Sequence, residues 1–313
     1  MRRLNKLSFT ITLLLIVSII GNIILFNAVN SSNDIQDSSS SQSYRLLAKR
    51  LFLDNPNDKR INFSSLRSSF RQYFSDNSLS GSLYFEYLPT GTSVRVNPDV
   101  KYRAASLIKL PVAMELYKAK ELGKVNLSDT IKLKQEWLND GYGELYKKGA
   151  GYMLSLGEAV EILLTDSDNT ALRAILDTTT PILEDQDRAL GALDIELSMA
   201  NDGSIDIGTR SYSSFLKCLY FACYNSKGDS QAILELLTKT SFDNRIVAGV
   251  DDKSIEIAHK IGVFNMQVQS DCGIVYLENN NYVICIMLEG NDDDTTNSHI
   301  ANLSKLAYEY LAK

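Results

Sequence analysis

A serine and a lysine, Ser106 and Lys109, stand three positions apart in the segment AASLIKLPVAMELY at residues 104–117. If a helix begins near Ser106, the two side chains lie on one face of it and their Oγ and Nζ atoms can meet. A lysine with a lowered pKa can act as the base that a serine nucleophile needs, and a helix N-terminus supplies N–H groups for a developing oxyanion. The same spacing recurs at residues 214–217, so the spacing alone is also typical of a surface pair on a helix.

Two further motifs carry groups that would complete such a site. A Ser-Asp-Asn tripeptide at residues 167–169 lies between two helical patterns, where it would relay a proton and hold a substrate amide or, alternatively, cap a helix. A second copy at residues 75–77 has the pattern of a helix end and a loop. Lys260 and Gly262, in AHKIGVF, lie on a predicted strand. A strand lysine usually faces solvent, whereas a strand glycine permits a ligand to approach the backbone closely.

The order of the three motifs resembles the S-x-x-K, S-D-N and K-T-G set of class A β-lactamases and penicillin-binding proteins. The resemblance extends to the hairpin and helix over residues 81–117, to LSLGEAVEILLTDSDNTAL, and to the strand segments HKIGVFNMQVQSDCGIVYLENNNYVICIML. It covers about residues 62–313. The other copies of S-x-x-K and S-D-N do not have this order and context.

The resemblance implies an acyl-transfer site without a cofactor or metal. Ser106 would attack a carbonyl and become an acyl-ester, while Lys109 would accept or relay its proton. Ser167 would pass a proton to the leaving nitrogen. Lys260 would support Ser167 electrostatically and attract a substrate carboxylate.

The resemblance also implies a set of substrate-binding residues: Asn169, Gly262, Val263 and Tyr142. The backbone N–H groups of Ser106 and Val263 would form the oxyanion hole. Asn169 would hold the side-chain amide of the substrate. Tyr142, in NDGYGEL, would be the aromatic residue at the mouth of the cleft, with Tyr146 as the alternative.

The sequence departs from the family pattern in two places. Ile261 replaces a Thr or Ser whose hydroxyl would bind the substrate carboxylate, a charge-assisted hydrogen bond worth about 1.5–3 kcal/mol. The E-x-x-L-N segment, whose glutamate activates the deacylating water, is missing, and the acids considered in its place lack that context: Glu184, Glu196, Asp202 and Asp206. Because loss of a general base slows the step it serves by about 10²–10⁴-fold, we expect acylation followed by slow deacylation.

Other functions fit the same residues. A penicillin-binding D,D-peptidase-like enzyme would use the acylating groups on peptidoglycan stem peptides. A catalytically degenerate member would bind cell-wall peptide or antibiotic without turnover; Ile261 and the missing glutamate favour it, while the intact Ser106 and Lys109 oppose it. A Ser-His-Asp site is disfavoured, because the chain has two histidines and His259 is more typical of a residue on a strand face.

Hydrophobic periodicity predicts the elements that must position these groups. We expect a helix over residues 62–74, a hairpin over 81–98, helices from 105 to about 237, strands within 254–264 and 272–290, and a last helix over 299–313. The predicted fold is α+β: one antiparallel sheet of about five strands built from both ends of the chain, with flanking helices and an inserted helical subdomain. The cleft between sheet and helices is the natural place for the site.

The N-terminal region predicts membrane attachment. Three cations precede an uncharged run over residues 7–29, long enough to span a bilayer with the N-terminus in the cytoplasm. A cleaved signal peptide is the alternative. We expect a cytoplasmic tip and anchor over 1–30, a serine-rich tether over 31–61, and an extracytoplasmic serine hydrolase domain over 62–313. The protein would then be a single-pass protein of the cell membrane.

The composition of the chain limits the classes of binding partner that can be expected. A net charge of −6 argues against a nucleic-acid partner, which normally requires a basic surface. We expect a monomer whose partners are a β-lactam or a peptidoglycan stem peptide and, through residues 7–29, the membrane. Four cysteines without a CxxC or Cys/His cluster do not indicate a metal site. Buried free thiols are the favoured prediction for all four, although Cys272 and Cys285 lie on two strand-like segments and could be neighbours.

Overall fold

The structure is a computed structural model that describes residues 62–195, 197–200, 204–265 and 267–312. The strands are β1 Gly81–Tyr87, β2 Thr92–Val96, β3 Lys101–Arg103, β4 Thr130–Lys132, β5 Met153–Ser155, β6 Ser198–Met199, β7 Ile205–Gly208, β8 Ile257–Phe264, β9 Val268–Val275 and β10 Tyr282–Glu289. Five of them form a central antiparallel sheet with the strand order β2-β1-β10-β9-β8. The helices are α1 Ser64–Asp76, α2 Lys109–Glu121, α3 Leu156–Thr165, α4 Asn169–Thr179, α5 Ala189–Ala192, α6 Thr209–Phe221, α7 Lys227–Leu237 and α8 Asp294–Ala312. The predicted α+β fold is confirmed.

The central strand β10 shows why the sheet is covered on both faces. Its side chains alternate between two hydrophobic cores, because successive residues of a strand point to opposite faces. One core takes Tyr282, Ile284, Ile286 and Leu288. The other takes Val283, Cys285 and Met287.

The first of these cores is closed by α1 and α8. Phe63, Leu66, Phe70 and Phe74 are all buried against the sheet, as their helical spacing predicts. Burying a side chain of this kind stabilises the fold by about 1.5–3 kcal/mol. The two terminal parts of the described chain are thus joined through one face of the sheet.

The opposite face of the sheet supports the inserted helical region, which includes α2, α3, α4, α6 and α7. Two small strand groups, β4-β5 and β3-β7-β6, lie within this part of the chain. Segments of two to four residues are too short to show a period of two, so the sequence did not predict them.

The cysteines are paired, and the prediction of free thiols is wrong. Cys272 and Cys285 face each other in the register of β9 and β10 and form a disulfide. A second disulfide joins Cys218, in α6, to Cys223. A continuous helix would separate those two side chains, but Ala222 adopts φ +50° directly after α6 and turns the chain back.

The predicted anchor at residues 7–29 and the tether at residues 31–61 lie outside the described residues. Within the described part of the chain, no helix has both the length and the apolarity needed to span a membrane.

Candidate active site

Ser106 lies in a 3-10 turn, Ala105–Ile108, that leads into α2. The turn begins with Ala105 at φ +46°, a conformation that costs a non-glycine residue energy and is often found at functional sites. Gly262 of β8 packs directly on this turn: a Cβ there would lie 3.1 Å from the Ala104 carbonyl oxygen and 3.1 Å from Leu107 Cγ. Glycine therefore allows β8 to approach the nucleophile turn closely.

The Lys109 amine connects the predicted nucleophile to the Ser-Asp-Asn segment. Its Nζ lies 2.9 Å from Ser106 Oγ, 3.1 Å from Ser167 Oγ and 2.7 Å from Asn169 Oδ1, and it also donates to the Ser167 carbonyl oxygen. Four oxygen atoms thus lie around the amine, more than the three N–H donors of an ammonium can bond one by one. A neutral amine has two N–H donors and one lone pair, and that lone pair can accept a hydrogen bond from the Ser106 hydroxyl.

Burial makes that neutral form accessible. The Lys109 side chain is buried, and desolvation lowers its pKa from 10.5 to about 7, with the nearby Asp168 carboxylate acting in the opposite direction. Lys260 is also buried, and its pKa lies well below the usual range because of desolvation and the proximity of Lys109. Two buried amines that share one site thus disfavour each other's charge.

Ser167 lies between the two lysines. Its Oγ accepts from Lys260 Nζ at 2.8 Å and lies 3.1 Å from Lys109 Nζ. The residue is fully buried and adopts φ +57°, uncommon for serine. Lys260 is not on a solvent face: it is buried and directed to this hydroxyl. A proton can therefore pass between Lys109 and Ser167 without a water molecule.

Asp168 holds the segment in place. It is the N-cap of α4, with Oδ1 accepting from Ala171 N at 2.8 Å, and its Oδ2 accepts from Leu145 N at 2.9 Å. Gly143 lies so close that a Cβ there would be 2.0 Å from Oδ2. The carboxylate thus joins the start of α4 to the loop that carries Tyr142.

Tyr142 lies next to the Ser-Asp-Asn segment. Its carbonyl oxygen accepts from Asn169 N at 3.0 Å, and its ring centroid is 6.4 Å from that of Phe242. Lys260 Nζ is 5.8 Å from the centroid of the Phe242 ring. The alternative, Tyr146, has its ring beside the neighbouring lysine instead. Sequence analysis missed Phe242, which no motif marks.

The side chain of Asn169 is already engaged in this structure. Besides accepting from Lys109, it donates through Nδ2 to Asn139 Oδ1 at 3.0 Å. The predicted amide-binding residue is therefore held in one orientation by two partners before any substrate binds.

Strand β8 separates the remaining candidates by face. Lys260 and Gly262 face the helical side, so Ile261, which is buried, points to the other face together with His259. His259 Nδ1 is 2.8 Å from Asp271 Oδ1 and contacts neither Ser106 nor Lys109 among the described residues. Val263, the predicted oxyanion-hole residue, follows Gly262 on the same edge strand of the described sheet.

Of the four acids considered in place of the missing glutamate, the two that the structure describes have other partners. Asp206 of β7 is salt-bridged to Arg103 at 3.2 Å, and Glu184 accepts from Gln186 at 3.1 Å. Glu196 and Asp202 lie outside the described residues. The described residues also contain no group of three or more His, Cys, Asp or Glu side chains suited to a metal ion.

Comparison with known proteins identifies the family and the fold of the chain. The family model described as "Beta-lactamase enzyme family" matches residues 65–311. No curated protein sequence matches the chain. The solved structure of PBP-A is 24% identical with a TM-score of 0.71, and covers 80% of this chain and 96% of its own.

Two further solved structures are similar. The L158E mutant of PBP-A, described as an acyl-enzyme complex with penicillin G, is 25% identical with a TM-score of 0.72 over 80% of this chain and 97% of its own. A β-lactamase from Sphaerobacter thermophilus is 23% identical with a TM-score of 0.69 over 80% of this chain and 97% of its own. With a family match over most of its length and this serine hydrolase fold, the chain belongs to the β-lactamase enzyme family.

Proposed function

We propose that this protein is a serine acyl-enzyme that reacts with β-lactams through Ser106 and releases the acyl group slowly. The observation that carries the proposal is the position of Lys109 Nζ, which contacts both Ser106 Oγ and Ser167 Oγ. Its pKa of about 7 makes it a base that is half neutral at physiological pH.

Acylation follows from these contacts. Neutral Lys109 accepts the Ser106 proton as Oγ bonds to the β-lactam carbonyl carbon, and the N–H groups of Ser106 and Val263 stabilise the oxyanion. The ring C–N bond then breaks as Ser167 donates its proton to the leaving nitrogen. Lys109 returns a proton to Ser167, and Lys260 favours the electron-rich Ser167 oxygen during the transfer.

Deacylation requires a base for the attacking water. In the described chain, Lys109 is the amine in contact with Ser106, and no carboxylate takes over that task. Since a missing general base slows the step by about 10²–10⁴-fold, acyl-enzyme accumulates.

The test is intact-mass spectrometry of the full chain in detergent after mixing with a penicillin. We expect one long-lived adduct of the mass of the penicillin in the wild type and none in Ser106→Ala. Ser214→Ala is the matched control, because it removes the serine of the other S-x-x-K copy, on α6, and it should be acylated as the wild type is. Loss of penicillin over many rapid turnovers without an adduct would contradict slow deacylation. Neither adduct nor loss would refute the proposal and favour a binding protein.

A D,D-peptidase activity on peptidoglycan stem peptides is the second candidate, favoured by the similarity to PBP-A. Release of D-alanine from an acyl-D-Ala-D-Ala peptide by the wild type, and not by Ser106→Ala, would establish it. Penicillin acylation without peptide cleavage would exclude this activity.

We also propose that residues 7–29 anchor the protein in the cell membrane with the hydrolase domain outside the cytoplasm, since the uncharged run follows three cations. Membrane fractionation of the full chain and of a form lacking residues 1–30 tests this. The shortened form should appear in the soluble fraction, and an unchanged distribution would contradict the anchor.

A further inference from the structure

Arg245, which precedes β8, is 1% exposed and has the largest fully buried side chain of the described residues. A guanidinium has five N–H donors, and each has a partner here. Nε donates to Asn297 Oδ1 at 2.8 Å. Nη1 donates to two carbonyl oxygens, that of Ser270 at 2.7 Å and that of Gly262 at 3.4 Å. Nη2 donates to Gln269 Oε1 at 3.1 Å and to Asp292 Oδ1 at 2.9 Å. With its donors occupied, this arginine has none left for the carboxylate of a substrate.

One of these partners belongs to the predicted oxyanion hole. The Gly262 carbonyl and the Val263 N–H are the two ends of one peptide unit, and they point in opposite directions because the peptide is trans. The Gly262 oxygen accepts from Arg245 Nη1 and, at 3.2 Å, from Ser270 Oγ. Ser270 lies opposite Gly262 on β9, the strand that pairs with β8.

The direction of these bonds determines where the N–H points. Since the Gly262 oxygen is bonded on the side of β9, the Val263 N–H faces the open edge of β8, where no described strand follows. Donors on the carbonyl also polarise the peptide, which strengthens hydrogen bonds donated by its N–H. Both hydrogen bonds to the Gly262 oxygen are long, so the polarisation of the peptide depends on the two donors acting together.

We propose that Arg245 and Ser270 are positioning residues that hold and polarise the Gly262–Val263 peptide, so that the Val263 N–H is aimed at the substrate carbonyl before the substrate binds. The proposal rests on the acyl-enzyme function proposed above. It assigns this arginine to the oxyanion hole through the backbone and not to contact with the substrate.

The vibrational frequency of the acyl-ester carbonyl tests the proposal, because a weaker oxyanion-hole hydrogen bond moves that band to higher wavenumber. The full chain in detergent is acylated with a penicillin carrying a ¹³C-labelled β-lactam carbonyl, and difference infrared spectra are recorded. Ser270→Ala removes one donor to the Gly262 oxygen. Ser213→Ala is the matched control, since Ser213 is an equally buried serine that donates to the Thr209 carbonyl within α6.

We expect the ester band of Ser270→Ala at higher wavenumber than in the wild type, with acylation about 3–10-fold slower, less than the 10²–10³-fold for deleting an oxyanion donor itself. Ser213→Ala should match the wild type in both. Arg245→Lys should shift the band further, provided that thermal unfolding shows it to be folded. If it is not folded, Ser270→Ala decides alone.

The outcomes separate the two proposals. Absence of an adduct in the wild type refutes the acyl-enzyme function. An adduct whose ester band is the same in Ser270→Ala and the wild type overturns the positioning role, even if acylation is slower. Equal band shifts in Ser270→Ala and Ser213→Ala would likewise overturn it, because they would reflect a general loosening of the fold.

Discussion

Lys109 provides the most direct test of the proposed chemistry, because its protonation should control the rate of acylation. The base must be neutral to accept the Ser106 proton, and its pKa is about 7. The neutral fraction rises as pH rises through that value. Acylation should therefore increase with pH and reach a plateau above about pH 8.

The magnitude follows from the burial of the amine. At pH 7 a lysine with a pKa of 10.5 is neutral in about one molecule in 3,000, whereas Lys109 is neutral in about half of the molecules. The free energy needed to deprotonate Lys109 is thus lower by about 5 kcal/mol. Between pH 6 and pH 8 the neutral fraction of Lys109 grows about tenfold, from about one eleventh to about ten elevenths. The acylation rate should grow by the same factor.

Stopped-flow acylation with a fluorescent penicillin, from pH 5.5 to 9.5, measures this profile. Asp168→Asn removes the charge that raises the pKa of Lys109, so the midpoint of a folded Asp168→Asn variant should move to lower pH. The chain's histidines need a control, because an ordinary histidine titrates near pH 6.5. His259 is bonded to Asp271 and does not contact Lys109, so folded His259→Gln should keep the wild-type midpoint.

A profile that is flat from pH 5.5 to 9.5 would refute the assignment of Lys109 as the titrating base. A midpoint near 10 would show that burial does not lower its pKa. If His259→Gln abolished the rise while remaining folded, the titrating group would be the histidine.

Three further changes have distinct expected results. Lys260→Met removes the amine that donates to Ser167 Oγ and should slow acylation by about 10²–10⁴-fold. The midpoint temperature of unfolding should not fall, because a buried polar amine is replaced by an apolar side chain of similar length. An unchanged acylation rate would disprove the role of Lys260. Gly143 has φ +79°, and Gly143→Ala would place a Cβ 2.0 Å from the carboxylate of the Ser-Asp-Asn segment. The free energy of unfolding in urea should therefore fall by about 2–3 kcal/mol. Replacing both Cys272 and Cys285 by alanine opens a short loop and should lower the free energy of unfolding by about 3 kcal/mol in the same assay, beyond the cost of the lost buried sulfur atoms. A wild type whose stability is unchanged by a reducing agent would contradict the disulfide.

Local patterns in the sequence predicted much of the architecture. The phenylalanines of α1, the hairpin of β1 and β2, and the closing strands β8 to β10 all appear where hydrophobic periodicity placed them. The strands of two to four residues were not predicted, because so few residues show no alternation of hydrophobic and polar side chains. The final helix begins at Asp294, earlier than predicted, since its first turn is polar and lacks the apolar spacing that marks a helix.

The candidates for the chemistry could be identified before folding is considered, because the order Ser-x-x-Lys, Ser-Asp-Asn and Lys-x-Gly is a linear property of the chain. The tertiary structure adds how the surroundings of the two S-x-x-K copies differ. Ser106 and Lys109 meet Ser167 in a buried cleft, whereas Lys217 of the other S-x-x-K copy is paired with Glu86.

Tertiary structure alone decided how these groups behave. The pKa of Lys109 depends on how much water is excluded around it, and that depends on packing between segments far apart in sequence. The bonds of Arg245 to the Gly262 carbonyl, the pairing of the cysteines, and the face to which Ile261 points arise in the same way. They depend on how the folded segments turn, pair and pack, which no pattern within a short window of residues encodes.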